Sequence, residues 1–253
     1  MSGVVSTQGR DVPLIPAEDK YEIFRVRPQA GSTTISSLGV ALTVTGTTLS
    51  RTPANTGWLD SQVRAGQQTV AASAGSVAGL NDSILIHFLG NASNRGGFLF
   101  IQRFGLPTVV SDERLFFGLR GDVSAPTNVD PSSLINIIGV GADGTDTNLQ
   151  VMRNDGSGTA TKTNLGGSFP AKTAGVAYEV VLDCLRNASA VNYTVRRLDT
   201  VGTPARGTLS TDLPATSQML ARFAYITNNA TGGLIAFDLL STTSANPMFE
   251  SFL

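Results

Sequence analysis

Residues 177–198 read AYEVVLDCLRNASAVNYTVRRL, two runs rich in Val, Leu and Tyr joined by Asn187, Ala188 and Ser189. In the second run Val191, Tyr193, Val195 and Arg197 fall on one face, and Asn192, Thr194, Arg196 and Leu198 on the other. A period of two is that of a β-strand, and here one face is polar enough to meet water. The Asn-Ala-Ser segment turns the chain back, so the two runs read as an antiparallel hairpin.

The same rhythm extends outward from about residue 33: short apolar and β-branched runs separated by Gly, Asn, Asp, Ser and Pro. Residues 83–89 (SILIHFL), 97–104 (GFLFIQRF), 114–119 (RLFFGL), 134–140 (LINIIGV), 219–227 (MLARFAYIT) and 234–240 (LIAFDLL) are expected as core strands. Asn154, Asp155 and Gly156 lie between residues 149–152 and 159–163, and an Asp-Gly pair supplies the positive φ values of a tight hairpin. No segment sustains a 3.6-residue apolar period. Residues 67–80 are Ala-rich, but Gly75 and Gly79 mark them as a loop. The expected class is an all-β antiparallel sandwich of jelly-roll type, with a closed barrel as second choice.

Residues 1–30 differ in character. Pro13, Pro16 and Pro28 remove donors and favour extended chain, so this segment is expected as an N-terminal arm, with residues 31–253 as the knob. Its only strand-like run is YEIFRV at 21–26, and Tyr21, Ile23 and Phe24 are the expected anchoring contacts on a neighbouring subunit. The plainer alternative makes that run the first strand of the main domain.

Composition restricts the function classes. The 253 residues are 41% hydrophobic and only 15% charged, against about 25% charged in average soluble domains. The net charge of −1 and pI near 5.8 offer no domain-wide basic field, so nucleic acid is not an expected partner. Cys184 alone excludes an intrachain disulfide framework and a CxxC metal site. No apolar run reaches the length of a helical membrane span, and the opening residues lack a secretion signal. The chain is therefore expected in the cytosol unless it leaves within a larger particle.

Chemistry is sparse. His87 is the one histidine, flanked by Leu85 and Leu89, and reads as a core or interface residue. Cys184 shares a strand face with Leu182 and Val180 and reads as a small buried hydrophobe. Glycoside hydrolysis needs two carboxylates about 5 to 10 Å apart, whereas Glu179 and Asp183, on one strand face, would lie about 13 Å apart. Glu179, Asp183 and Asp238 are the acids to consider, but no catalytic set emerges and an enzyme is not expected. Asp143, Gly144, Thr145 and Asp146 form a turn that could offer oxygens to calcium, without the spacing of an EF-hand loop; no metal and no cofactor is expected. Gly139-Val140-Gly141 lacks the third glycine and helix of a dinucleotide site. Sugar recognition would need an exposed ring beside amides or carboxylates; the candidates are Trp58, near Asn55 and Asp60, and Tyr225, near Asn228 and Asn229.

A run of elements carries a family resemblance: GGFLFIQRFG from Gly96, RLFFGLRG from Arg114, PSSLINIIGVGAD from Pro131, TNLQVMRNDGSGTATKTNLGGSFP from Thr147, YEVVLDC from Tyr178 and VNYTVRRLDT from Val191. In this order they resemble a globular domain recurrent in tail-fibre and other appendage proteins of tailed bacteriophages. STTISSLGVALTVTGT at 32–47 also resembles the stretch that often leads into this domain. The resemblance covers more than half the chain. It implies a lectin-like sandwich and a virion structural role as a short tail fibre or appendage knob, and assembly as a homo-oligomer, trimers being common among phage fibres. The alternatives are a capsid-decoration or head-fibre protein, or a receptor-recognition module that binds a host-surface glycan. It carries no fixed ligand motif, so no site residue follows from it.

Overall fold

The computed structural model describes residues 4–7, 10–13, 21–28, 35–50, 58, 66–91, 93 and 95–247. Two antiparallel sheets face each other. The first has the order β16 (Ala205–Leu209), β15 (Val191–Arg197), β14 (Val176–Cys184), β9 (Phe98–Thr108), β18 (Ala236–Pro247), β3 (Tyr21–Pro28), β4 (Ile35–Leu38). Beside the first half of β18 this sheet continues through β7 (Gly66–Thr69) and β6 (Thr47–Ser50), making nine strands among the described residues. The second sheet has seven: β13 (Thr161–Asn164), β12 (Gln150–Asn154), β11 (Ile137–Ala142), β10 (Arg114–Arg120), β17 (Ala221–Thr227), β8 (Val77–Asp82), β5 (Leu42–Thr45). A separate hairpin joins β1 (Val4–Thr7) to β2 (Arg10–Pro13).

Alternation builds the inter-sheet core. Phe98, Phe100 and Phe104 of β9 and Tyr178, Val180 and Leu182 of β14 point inward and meet Leu115, Phe117 and Leu119 of β10. Phe104 stacks on Phe117 with ring centroids 3.6 Å apart, and Phe117 meets Phe237 edge-on. Such aromatic contacts add about 0.5–1.5 kcal/mol each beyond the area they bury. The nine-stranded sheet keeps a wet outer face, as Asn192 and Arg196 of the hairpin foretell.

The central strands of the seven-stranded sheet, β12, β11, β10 and β17, are buried on both faces, whereas its edge strands β13 and β5 are not. Phe116, Ile137, Met152, Phe223 and Tyr225 form a second core on its outer side, with Leu134 and Ala160. The covering segment leaves the sheet at Gly121, whose N–H bonds Asn136 O, and includes the short 3-10 turn Pro131–Ser133. This explains why RLFFGL and LINIIGV are unbroken apolar runs rather than alternating ones. It also explains Gly79, which lies within β8 and not in a loop: a Cβ there would come 2.6 Å from Ala224 O and 2.7 Å from Pro126. Gly75, with φ +77°, does sit in the turn before β8.

Both expected hairpins form, β12 with β13 and β14 with β15. Two expectations are corrected. Residues 21–28 are not part of an extended arm: β3 pairs with β18 over Tyr21 to Val26 and with β4 over Arg25 to Pro28, and Phe24 is only 3% exposed inside the sandwich. Ile23 is half-buried on the opposite face of the same strand. Neither is therefore presented to another subunit by a free arm; the side chain of Tyr21 lies outside the described residues. Residues 83–89 are not a strand, but a loop held by one bridge, His87 to Leu220.

Candidate functional site

The loop residues 83–91 and 95–97 pack against the ends of β3 and β18 and leave a cleft of about 500 Å³. Its walls come from distant parts of the chain. Glu22 of β3 and Asn246 of β18 are register partners, while Ile86 and Phe88 flank His87 in the loop. Leu220 holds the loop in place, accepting from Ile86 N and His87 N at 2.9 Å each and donating to His87 O at 2.6 Å. Gly96 has φ +77°, and a Cβ there would stand 2.6 Å from the Phe88 ring. Glycine thus lets that ring lie against the backbone, half-buried at the cleft wall.

A buried network fixes the floor. Asn246 Nδ2 donates to Ile86 O at 2.6 Å, which turns Asn246 Oδ1 toward His87 Nδ1 at 2.5 Å. His87 is fully buried between Phe24 and Phe98. Burial is the main reason its pKa falls from 6.5 to about 4; the bond to Asn246 opposes the fall and the charge of Arg222 assists it. The imidazole is neutral near pH 7, with its proton on Nδ1 donated to Asn246. Its Nε2 and the Nη1 of Arg222 have no hydrogen-bond partner among the described residues.

Arg222 belongs to an ion pair sealed between the sheets. Its Nε and Nη2 each donate to Asp82 at 2.8 Å, and its backbone N donates to the same carboxylate at 3.1 Å. Its charge reaches the cleft network through the buried His87. An aromatic ring, a carboxylate and an amide around one opening can stack on an apolar sugar face and bond its hydroxyls.

The sequence candidates fall elsewhere. Tyr225 is 1% exposed, and its hydroxyl donates to Val129 O inside the second core. It cannot stack on a ligand, because both faces of its sheet are covered. Trp58 is 38% exposed, but its neighbours Asn55 and Asp60 lie outside the described residues. Glu179 is held by Arg103 at 2.6 Å and Arg196 at 2.7 Å, and Asp238 is fully buried. Cys184 is buried and its thiol is pushed up by burial. Glu22, Phe88 and Asn246 were missed because register and a long loop unite them; the one sequence signal was the lone His87.

The opposite end of the sandwich carries a second polar cluster. There the Asp143 to Asp146 turn is gripped by an ammonium of the chain itself: Lys162 Nζ lies 3.0 Å from Asp143 Oδ2 and 2.9 and 2.8 Å from the two oxygens of Asp146. Arg114 pairs with Asp130 at 2.7 Å, and Lys172 donates to Gly144 O. Among the described residues no group of three or more His, Cys, Asp and Glu is arranged to hold a metal ion. The nearby Glu113 is fully buried, which raises its pKa from 4.5 to about 8 against the pull of the Val110 N–H and Lys172.

No protein-family model and no curated protein matches the sequence. Solved structures do match in fold. A peanut lectin with a bound peptide aligns at TM-score 0.61 and 13% identity over 91% of this chain and 99% of the lectin. A protein of unknown function from Shewanella oneidensis MR-1 aligns at TM-score 0.63 and 12% identity over 92% of this chain and 90% of its own. Lectin UEA-II complexed with galactose aligns at TM-score 0.56 and 12% identity over 90% and 99%. The chain is a β-sandwich of the legume-lectin type, and at these identities the likeness is one of fold.

Proposed function

We propose that this chain is a recognition module on a tailed-bacteriophage particle that binds a bacterial surface saccharide in the cleft between β3, β18 and the loop residues 86–88 and 96–97. The observation that carries the reading is the meeting of Phe88, Glu22 and Asn246 around one opening whose floor is pinned by His87. Phe88 takes the apolar sugar face, Glu22 accepts from hydroxyls, and the unused hydrogen-bonding capacity of Asn246 orients the ring. The module acts by binding, with no chemical step. The ordered resemblance to phage appendage domains and the weakly charged surface support the virion setting. The lectin fold of its structural neighbours supports a saccharide as the ligand.

The test is a microarray of bacterial surface polysaccharides probed with the labelled chain. Binding to at least one polysaccharide is expected, weakened about tenfold or more in Phe88→Ala and in Glu22→Gln. An array without signal, or signal indifferent to both changes, would sink the reading. Antibody against the chain is expected to label intact phage particles; particles that stay unlabelled contradict the virion setting.

A further inference from the structure

The outer face of the nine-stranded sheet gathers positive charge that the cleft does not use. Alternation turns Arg25 and Arg27 of β3, Arg103 of β9, Arg196 of β15 and Arg206 of β16 away from the core that their neighbours Val26, Phe104, Val195 and Leu209 enter. Against these five arginines the same stretch of face carries Glu179 and Asp183; Asp238 is fully buried and adds no exposed charge. The whole chain has a net charge of −1, so the excess is local.

Register arranges these groups in lines across the strands. Arg25, Thr243, Ile101, Val181, Thr194 and Arg206 pair in succession from β3 to β16. At the usual strand spacing this line is about 24 Å long with an arginine at each end. The adjacent line holds Ser241, Arg103, Glu179 and Arg196. Glu179, nearly buried, takes the Nε of both arginines, yet each arginine side chain remains 47% exposed. Their Nη groups are thereby aimed by a fixed carboxylate and left for another acceptor. Arg25, Arg27 and Arg206 make no ion pair among the described residues.

We infer that this face binds an anionic polysaccharide laid across the strands. A guanidinium presents paired donors that match a carboxylate or sulfate. Thr194, Thr243, Ser241, Asn192 and Thr208 offer hydroxyls and amides to the sugar hydroxyls between the anionic groups. No aromatic ring points outward among these residues, so the stacking that single-stranded nucleic acid uses is missing. The flat sheet presents no helix or ribbon to enter a duplex groove.

The experiment titrates the full chain with polygalacturonate, with neutral dextran and poly-dT as companion probes, at about 50 mM and about 500 mM salt. Polygalacturonate is expected to bind at low salt and to release at high salt, while dextran does not bind. Affinity is expected to fall about tenfold or more in the Arg25→Ser, Arg206→Ser double variant, with an unchanged melting temperature because neither side chain packs on the core. Three results overturn the inference: no polygalacturonate binding at low salt, equal binding by the double variant, or tighter binding of poly-dT. Binding lost in Phe88→Ala and kept in the arginine variant would assign the polyanion to the cleft and overturn it as well.

Discussion

Asn246 Oδ1 lies 2.5 Å from His87 Nδ1 while the same amide donates to Ile86 O at 2.6 Å, so one side chain of β18 locks the loop that walls the cleft. Asn246→Ala strands a buried donor and a buried acceptor. An unsatisfied group of this kind costs about 1–3 kcal/mol, and the variant is expected to unfold at lower urea with an unchanged m-value. Saccharide affinity should fall with it, since the cleft loses the Asn246 amide and the Ile86 carbonyl loses its tie to β18.

His87 makes stability depend on acid. The unfolded chain takes up a proton near the ordinary imidazole value of 6.5, whereas the folded chain resists until about pH 4. The contribution of the neutral ring is complete above pH 6.5 and is lost as pH falls toward 4. Wild type is expected to lose on the order of 3 kcal/mol more than His87→Gln between pH 7 and pH 4. Parallel denaturation curves for the two proteins over that range would contradict it.

Glu113 works in the opposite direction. Its folded pKa of about 8 lies above the ordinary 4.5, so the folded chain holds a proton that the unfolded chain has released. That contribution is complete below pH 4.5 and is lost as pH rises through 8. Glu113→Gln, which keeps an acceptor for the Val110 N–H, is expected to melt above wild type at pH 9. The advantage should shrink steadily toward pH 4.5 in thermal scans.

The pair Asp82 and Arg222 tests the polar part of the core between the sheets. Removing one partner of a sealed ion pair leaves an uncompensated charge and costs about 3–5 kcal/mol. Arg222→Met alone is expected to lose that much. Asp82→Asn combined with Arg222→Met should recover most of it, because the Asn oxygen still accepts from the backbone N of residue 222. A double variant no more stable than Arg222→Met would show that the loss comes from packing instead.

What was legible in the sequence follows from locality. The β14–β15 hairpin carries its strands, turn and alternation within 22 consecutive residues, and its register needs no distant information. The β3–β18 pair is the contrary case. Its residues are separated by most of the chain, and Pro28 with scattered charges makes β3 resemble an arm until β18 supplies its partner. Tyr225 looked exposed because Asn228 and Asn229 follow it closely. The cover over its sheet comes from residues near Val129, which no period in residues 219–227 announces. The cleft itself was illegible for the same reason: Glu22 and Asn246 become neighbours only through strand pairing.

The most direct measurement is a saccharide titration followed by backbone amide NMR, using a polysaccharide fragment that scores on the array. The largest shift changes are expected at Glu22, Ile86, His87, Phe88, Gly96, Gly97 and Asn246, with the seven-stranded sheet unchanged. Shifts centred instead on the loop from Asn228 to Gly233, or on the surface around Arg197 and Val201, with none at Phe88, would contradict a saccharide site in this cleft.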